Sequence, residues 1–251
     1  MISINSLYFS YDKKEVLTNI SLSIKQGDYC ALMGLNGSGK STLLKAAAGL
    51  LPLQRGEVQI NGLSLSEYTP NRLAQEISYV PQKQDIVFDF SVWDSVMMGR
   101  NPHQGRWERE SVHDKEIVSN VLKMCNIEHL KEQMLSQLSG GEMQRSLIAR
   151  AMAQEAPIML LDEPLSNLDI IHKYEIMEIL TKLNRKHQTT IIIILHDFPV
   201  AIQYVKQAVI LKNGEINQHG SVDDVLQPEH IKQAFNLPDS LRVDSLGNVM
   251  K

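Results

Sequence analysis

The stretch Gly34-Leu35-Asn36-Gly37-Ser38-Gly39-Lys40-Ser41 constrains the chain more than any other, because it fills every position of the pattern G-x-x-x-x-G-K-[ST]. Glycines let successive backbone N–H groups turn inward on an anion. Lys40 brings a point charge to terminal phosphates, and the Ser41 hydroxyl suits Mg²⁺. At average residue usage a chain of this length matches the pattern by accident roughly once in a hundred. The surroundings fit as well. Tyr29-Cys30-Ala31-Leu32-Met33 is a short uncharged apolar run, and Thr42-Leu43-Leu44-Lys45-Ala46-Ala47-Ala48 is rich in helix formers. Strand, loop and helix in that order set an anion at a helix N-terminus, where unpaired N–H groups and the helix dipole both favour it. A nucleoside triphosphate is the implied ligand, with Gly34, Asn36, Gly37, Ser38, Gly39, Lys40, Ser41 and Thr42 around its phosphates.

Composition narrows the class. With 251 residues, 43% of them hydrophobic, the chain can bury a core. A net charge of −4 argues against a broad nucleic-acid surface. The longest pure aliphatic run, Ile191 to Leu195, is far short of the ~20 residues that span a bilayer, and the N-terminus lacks a charged segment followed by an apolar one. A soluble, cytoplasmic protein is expected. Cys30 and Cys125 lack metal-ligand spacing and read as buried free thiols.

Residues 2 to 30 alternate in short β-like runs, Ile2-Ser3-Ile4, Leu7-Tyr8-Phe9 and Ile20 to Ile24, which predict antiparallel sheet. Tyr11 lies between two of them; it either stacks on a nucleotide base or ends a strand half-buried. Leu51-Pro52 is expected to stop the helix after the phosphate loop. Asn61-Gly62 predicts a hairpin, and Thr69-Pro70 a helix start running through Ala74. Ile77 to Gln82 reads as a strand, and Gln82 at its end either faces a Mg²⁺-triphosphate or sits in a surface loop. From Phe88 to Ala153 the period becomes helical, with Ile117, Val118, Val121, Leu122 and Cys125 on one face. A polar loop carrying His103 and Trp107 interrupts it; with no spacing that suggests chemistry, it reads as solvated or partner-facing.

Ser139-Gly140-Gly141-Glu142 forms a capping box with two glycines in the first helical turn. It is either a second bare anion-binding N-terminus or an ordinary capped helix. Ile158-Met159-Leu160-Leu161 is an apolar strand delivering Asp162 and Glu163 at its C-terminal end, where ligands bind in open parallel sheets. There Asp162 can hold Mg²⁺ through water while Glu163 polarises an attacking water. Ser166 to Asp169 opens a helix with core face Ile176, Ile179, Leu180 and Leu183. Thr189 to Leu195 is a second buried parallel strand, and His196 at its end can contact a γ-phosphate. Asn213-Gly214 closes a hairpin, Ser221 with Asp224 caps a short helix, and Pro228 starts another.

The order of these motifs resembles that of an ABC-transporter ATPase subunit from end to end. The resemblance implies an α/β fold: a P-loop NTPase, RecA-like core with an N-terminal antiparallel β subdomain and an inserted helical subdomain at approximately 88–153, all within one nucleotide-binding unit over 1–251. It also implies that Tyr11 stacks on adenine, Lys40 and Ser41 hold phosphate and Mg²⁺, and Gln82 senses the γ-phosphate beside the metal. Asp162 would support the metal, Glu163 would be the catalytic base, and His196 the switch histidine. Ser139, Gly140 and Gly141 would cover the γ-phosphate held by a second copy, with Asp169 at the seam of an ATP-dependent homodimer.

Segments such as Tyr79-Val80-Pro81-Gln82, Val92-Trp93-Asp94-Ser95-Val96 and Met98-Gly99-Arg100-Asn101-Pro102-His103 are similar to the ATPases of importers for ferric siderophores, haem and cobalamin. That implies integral-membrane permease partners, an indirect partner in a substrate-binding protein, and a place on the cytoplasmic face of the inner membrane. A soluble ABC ATPase acting on an iron–sulfur scaffold is the rival reading. The apolar concentration Val87, Phe88, Phe90, Val92, Trp93, Val96 and Met98 is the expected permease dock.

Overall fold

The computed structural model describes residues 1–82, 88–105, 110–238, 240–244 and 247–250. The chain opens with β1 (Ile2–Tyr11) and β2 (Lys14–Ile24), followed by β3 (Tyr29–Gly34), α1 (Lys40–Ala47), β4 (Arg55–Ile60) and β5 (Leu63–Ser64). Next come α2 (Pro70–Glu76), β6 (Ile77–Val80), α3 (Val92–Met97), α4 (Val112–Met124), α5 (Gly140–Ala153), β7 (Ile158–Leu161) and α6 (Ile170–His187). The C-terminal part holds β8 (Thr190–Ile194), α7 (Phe198–Tyr204), β9 (Gln207–Lys212), β10 (Glu215–Ser221), α8 (Val222–Val225), α9 (Pro228–Phe235) and a small hairpin of β11 (Arg242–Val243) and β12 (Val249–Met250).

Two larger sheets carry the fold. One is antiparallel, in the order β2-β1-β4-β5; the other runs β10-β9-β3-β8-β7-β6 and is parallel from β9 to β6. Alternation along the parallel strands shows why both its faces are dry. Cys30, Leu32, Leu160, Ile192, Ile194 and Val209 pack with the antiparallel sheet and α1, whereas Ala31, Met33, Leu161, Ile191, Ile193 and Ile210 pack with α3 to α6. Val118, Val121 and Leu122 of α4 belong to the same cluster as α5 and α6, so the helical insertion shares its core with the sheet.

Several local expectations meet the structure with small changes. The first two β-like runs are one strand: Ser6 takes a φ of 44°, the register slips between Ile4 and Leu7, and β1 continues through this bulge. Helix α1 stops well before Leu51-Pro52, because Gly49 at φ 71° lets its N–H reach Ala46 O and the Leu50 N–H reach Lys45 O, a Schellman ending. Asp169, Ser139, Ser111 and Thr69 cap their helices as their residue types predict. Among the described residues no helix is long and apolar enough to cross a membrane.

Candidate active site

Parallel register assembles the site. β3, β8, β7 and β6 end on one rim, and Val80 pairs with Leu161, so Gln82 and Glu163, each two residues further on, arrive side by side. Gln82 Nε2 donates to Glu163 Oε2 at 2.6 Å, and His196 Nε2 lies 2.8 Å from Glu163 Oε1. The carboxylate of Glu163 is thus held on both oxygens. Its backbone takes the left-handed region, φ 49°, which a residue with a side chain adopts only where its surroundings impose it.

The phosphate loop lies across the same rim. α1 starts from Gly39 at φ 103°, with no side chain capping its first N–H groups. A Cβ there would stand 2.8 Å from Leu17 Cδ2 and 2.9 Å from Val16 O, so the loop's path against β2 admits glycine alone. Lys40 is 4% exposed, and its Nζ donates to Gly34 O and Leu35 O, both at 3.0 Å. Burial holds its ammonium below the ordinary lysine pKa, while Glu163 and Asp162 pull the other way. Ser38 Oγ is buried without a hydrogen-bond partner. An uncapped helix N-terminus, a buried cation and an orphan hydroxyl together suit an anion that supplies oxygen acceptors.

Ser41 Oγ donates to Asp162 Oδ1 at 2.8 Å, and the Tyr79 hydroxyl donates to Asp162 Oδ2 at 3.0 Å. Burial first, and Asp162 second, push the Tyr79 phenol above its usual range, so it stays a donor. Ser41 and Asp162 form an all-oxygen pair, the donor chemistry Mg²⁺ takes. The Gln82 amide, also expected at the metal, donates its Nε2 to Glu163.

A cavity of about 630 Å³ is lined by Lys40, Ser41, Thr42, Gln82 and Glu163 together with Asn36, Gly37 and Gly39. Lys14, Glu15, Val16, Asn213 and Gly214 complete its wall, residues with no sequence signal for this role. Gly34 ends β3 behind the loop, where its carbonyl takes the Lys40 bond. Tyr11 does not line the cavity. The residue is 47% exposed, its ring is edge-on to Phe9 at 5.0 Å, and its strand partner Lys14 lines the cavity.

Ser139, Gly140 and Gly141 are likewise absent from this cavity. Ser139 and Glu142 form the expected capping box, with Ser139 Oγ donating to Glu142 Oε2 at 2.7 Å. The two glycines differ. A Cβ on Gly140 would meet nothing within 4 Å, whereas one on Gly141 would stand 2.1 Å from His172 Cδ2.

A model of the ABC transporter family matches residues 17–166. The petrobactin import ATP-binding protein FpuC of Bacillus anthracis is 36% identical over 237 residues, covering 94% of this chain and 87% of that protein. The chain belongs to the ABC transporter family. Its fold is that of the ABC ATPase cassette, an α/β core with an antiparallel β subdomain and a helical insert, and its enzymatic activity is ATP hydrolysis that powers transport. A metal-chelate-type ABC transporter solved in an inward-facing conformation superposes with a TM-score of 0.83 at 29% identity, over 94% of this chain and 89% of that one. The dimeric cassette MJ0796, bound to ADP and Pi after hydrolysis, superposes with a TM-score of 0.76 at 28% identity, over 88% and 99% of the two chains.

One sequence reading changes. Of the apolar concentration expected to dock a permease, Val92 and Val96 are fully buried and Trp93 packs against the core, leaving Phe88 and Phe90 exposed at 71% and 37%. Val87 lies outside the described residues, as does Trp107. His103, in a loop expected to be solvated or to face a partner, is exposed, and its Nε2 lies 2.8 Å from Gln154 O at the end of α5.

Sequence reasoning also missed Arg100. It is 3% exposed, with Nε on Asp114 Oδ1 at 2.9 Å and Nη1 on Ala153 O at 2.7 Å and Glu155 Oε2 at 2.9 Å, tying three helical segments together.

Proposed function

We propose that two copies of this chain close on two ATP molecules and drive a membrane permease that imports a metal chelate. The observation that carries the reading is the Glu163 carboxylate, held between Gln82 and His196 on the rim that also bears Lys40 and the uncapped start of α1. In the proposed step a water oxygen bonds to the γ-phosphorus as Glu163 accepts the water proton. The bond from that phosphorus to the bridging oxygen breaks, and the electron pair leaves with ADP. Lys40 balances charge on the phosphates, His196 orients the γ-phosphate and holds Glu163, and Gln82 reports whether that phosphate is present. Ser41 and Asp162 would hold Mg²⁺, which when bound neutralises triphosphate charge. Tyr11 would stack on the base at the mouth of the cavity.

Ser139, Gly140 and Gly141 are assigned to the partner's γ-phosphate, with Asp169 at the seam, because this second helix N-terminus stands apart from the chain's own cavity. A two-fold axis then completes both sites at once. The permease dock is assigned to Phe88 and Phe90, which follow the γ-phosphate sensor. This puts the chain on the cytoplasmic face of the membrane, held there by the permease, with a substrate-binding protein as an indirect partner. The petrobactin relative and the metal-chelate-type neighbour support a metal-chelate cargo over the scaffold alternative.

Mixing a Lys40→Ala chain with a Ser139→Arg chain tests the shared site. Each alone has two defective sites, whereas the mixed dimer pairs an intact phosphate loop with an intact Ser139 turn once. Nucleotide-dependent dimers should appear in the mixture only; tight ATP-driven dimers of Ser139→Arg alone would contradict the reading. Cargo is read by copurifying the chain with its permease in lipid and comparing ATPase stimulation by binding proteins loaded with metal chelates or with other solutes.

A further inference from the structure

The Ser139–Gly141 turn and the N-terminal end of α6 meet through one imidazole. His172 packs so closely on Gly141 that a Cβ there would lie 2.1 Å from Cδ2 and 2.7 Å from Cγ and Nε2. The ring is tied in place. Its Nδ1 is 3.2 Å from Glu175 Oε2, which also accepts from Arg145 Nη1 at 2.7 Å, one turn beyond Gly141 on α5. The His172 backbone N–H donates to Asp169 Oδ1 at 2.9 Å, and its Nε2 stands 3.9 Å from Asp169 Oδ2. Swinging the ring away from a side chain at position 141 would give up its place beside both acids. The missing side chain of Gly141 therefore makes room for His172 within the same chain, whereas Gly140 alone leaves open space for an incoming group.

We propose that His172 is a positioning residue of the ATP site formed between two copies: it locks the Ser139-Gly140-Gly141 turn to the Asp169 end of α6, so that both meet the partner as one body. The inference rests on the shared-site reading above. Two separately mobile elements would each have to be ordered on closing, and a preset pair avoids that cost. An N-terminus displaced by about an ångström also aims its N–H groups poorly at a phosphate.

The test is a double-mutant cycle in full-length Glu163→Gln, comparing Gly141→Ala, His172→Ala and the two together by sedimentation with and without MgATP. Each single change should weaken ATP-driven dimerisation about tenfold or more, and Gly141→Ala should cost little further once His172 is alanine. The unfolding midpoint and the affinity of the monomer for MgATP, read on the same chains, separate positioning from general damage: both should stay at the parent's values in His172→Ala. His172→Asn, which keeps a donor for Glu175 and vacates the space beside Gly141, carries the same comparison should His172→Ala not fold. Parental dimerisation in the His172 variants overturns the proposal, and so does a Gly141→Ala loss of the same size with or without His172. Absence of an ATP-driven dimer in the Glu163→Gln parent overturns the shared-site reading and this inference with it.

Discussion

Ser41 Oγ donates to Asp162 Oδ1 across 2.8 Å, although 121 positions separate the two residues in the chain. Strand order closes the distance: β8 alone stands between β3, which leads into the Ser41 loop, and β7, which ends at Asp162. Since the second Asp162 oxygen takes the Tyr79 hydroxyl, Tyr79→Phe should cost about 1–2 kcal/mol of fold stability in urea unfolding. Asp162→Ala should additionally weaken the thermal stabilisation by ATP that depends on divalent cation. Chelating that cation should bring the wild-type chain to the same low value. Equal ATP stabilisation in Asp162→Ala and wild type would remove this residue from the metal site.

Glu163→Gln keeps the size of the side chain and a partner for Gln82 while removing the proton acceptor. Phosphate release should fall ~10²- to 10⁴-fold with nucleotide binding retained. Hydrolysis at the wild-type rate would show that another group takes the proton. His196→Ala frees one Glu163 oxygen and should lower turnover with the same pattern, read as phosphate release against nucleotide affinity.

The Arg100–Asp114 pair predicts an acid-sensitive clasp. The Arg100 guanidinium beside Asp114 holds its carboxyl well below the usual carboxylate range; burial opposes this, and bonds from Ser111 and Gln104 add to it. A depressed native pKa stabilises the fold above the unfolded value near ~3.9, and that share is lost as pH falls toward the native one. Urea midpoints between about pH 5 and pH 3 should therefore fall less steeply in Asp114→Asn than in wild type. Arg100→Met strands a buried carboxylate and should cost about 3–5 kcal/mol at neutral pH. Identical pH profiles for Asp114→Asn and wild type would show the pair to be inert.

Motif spacing made the phosphate loop, the acid-bearing strand end and the helix caps legible, because each is a local pattern with one physical solution. The sequence order also placed Gln82, Glu163 and His196 on strand ends, and parallel register then brought them together. What stayed hidden depends on contacts between segments. Tyr79 reads as an ordinary strand tyrosine until Asp162 is beside it, and nothing local to Arg100 announces that α4 and α5 enclose it. Val92 and Val96 could not be told from exposed apolar residues because α3 has only 6 residues, too short for its period to define a face. Gly141 looked like clearance for a ligand, since nothing in its neighbourhood of sequence announces His172.

Adjacent residues of a strand point to opposite sides of a sheet, so two acids in succession would ordinarily serve two different surfaces. The left-handed turn at Glu163 breaks that alternation just past β7: Asp162 holds Ser41 and Glu163 takes the Gln82 amide, so two successive acids both bear on residues that line one cavity. The backbone there would rest more easily with glycine or asparagine, so the residue assigned to the chemistry sits in a conformation that its own residue type disfavours. Stability and turnover are set against each other at this one position. A search for hardier variants of the protein by selection on folding alone would drift toward Glu163→Gly or Glu163→Asn, gaining a calmer backbone and losing the motor.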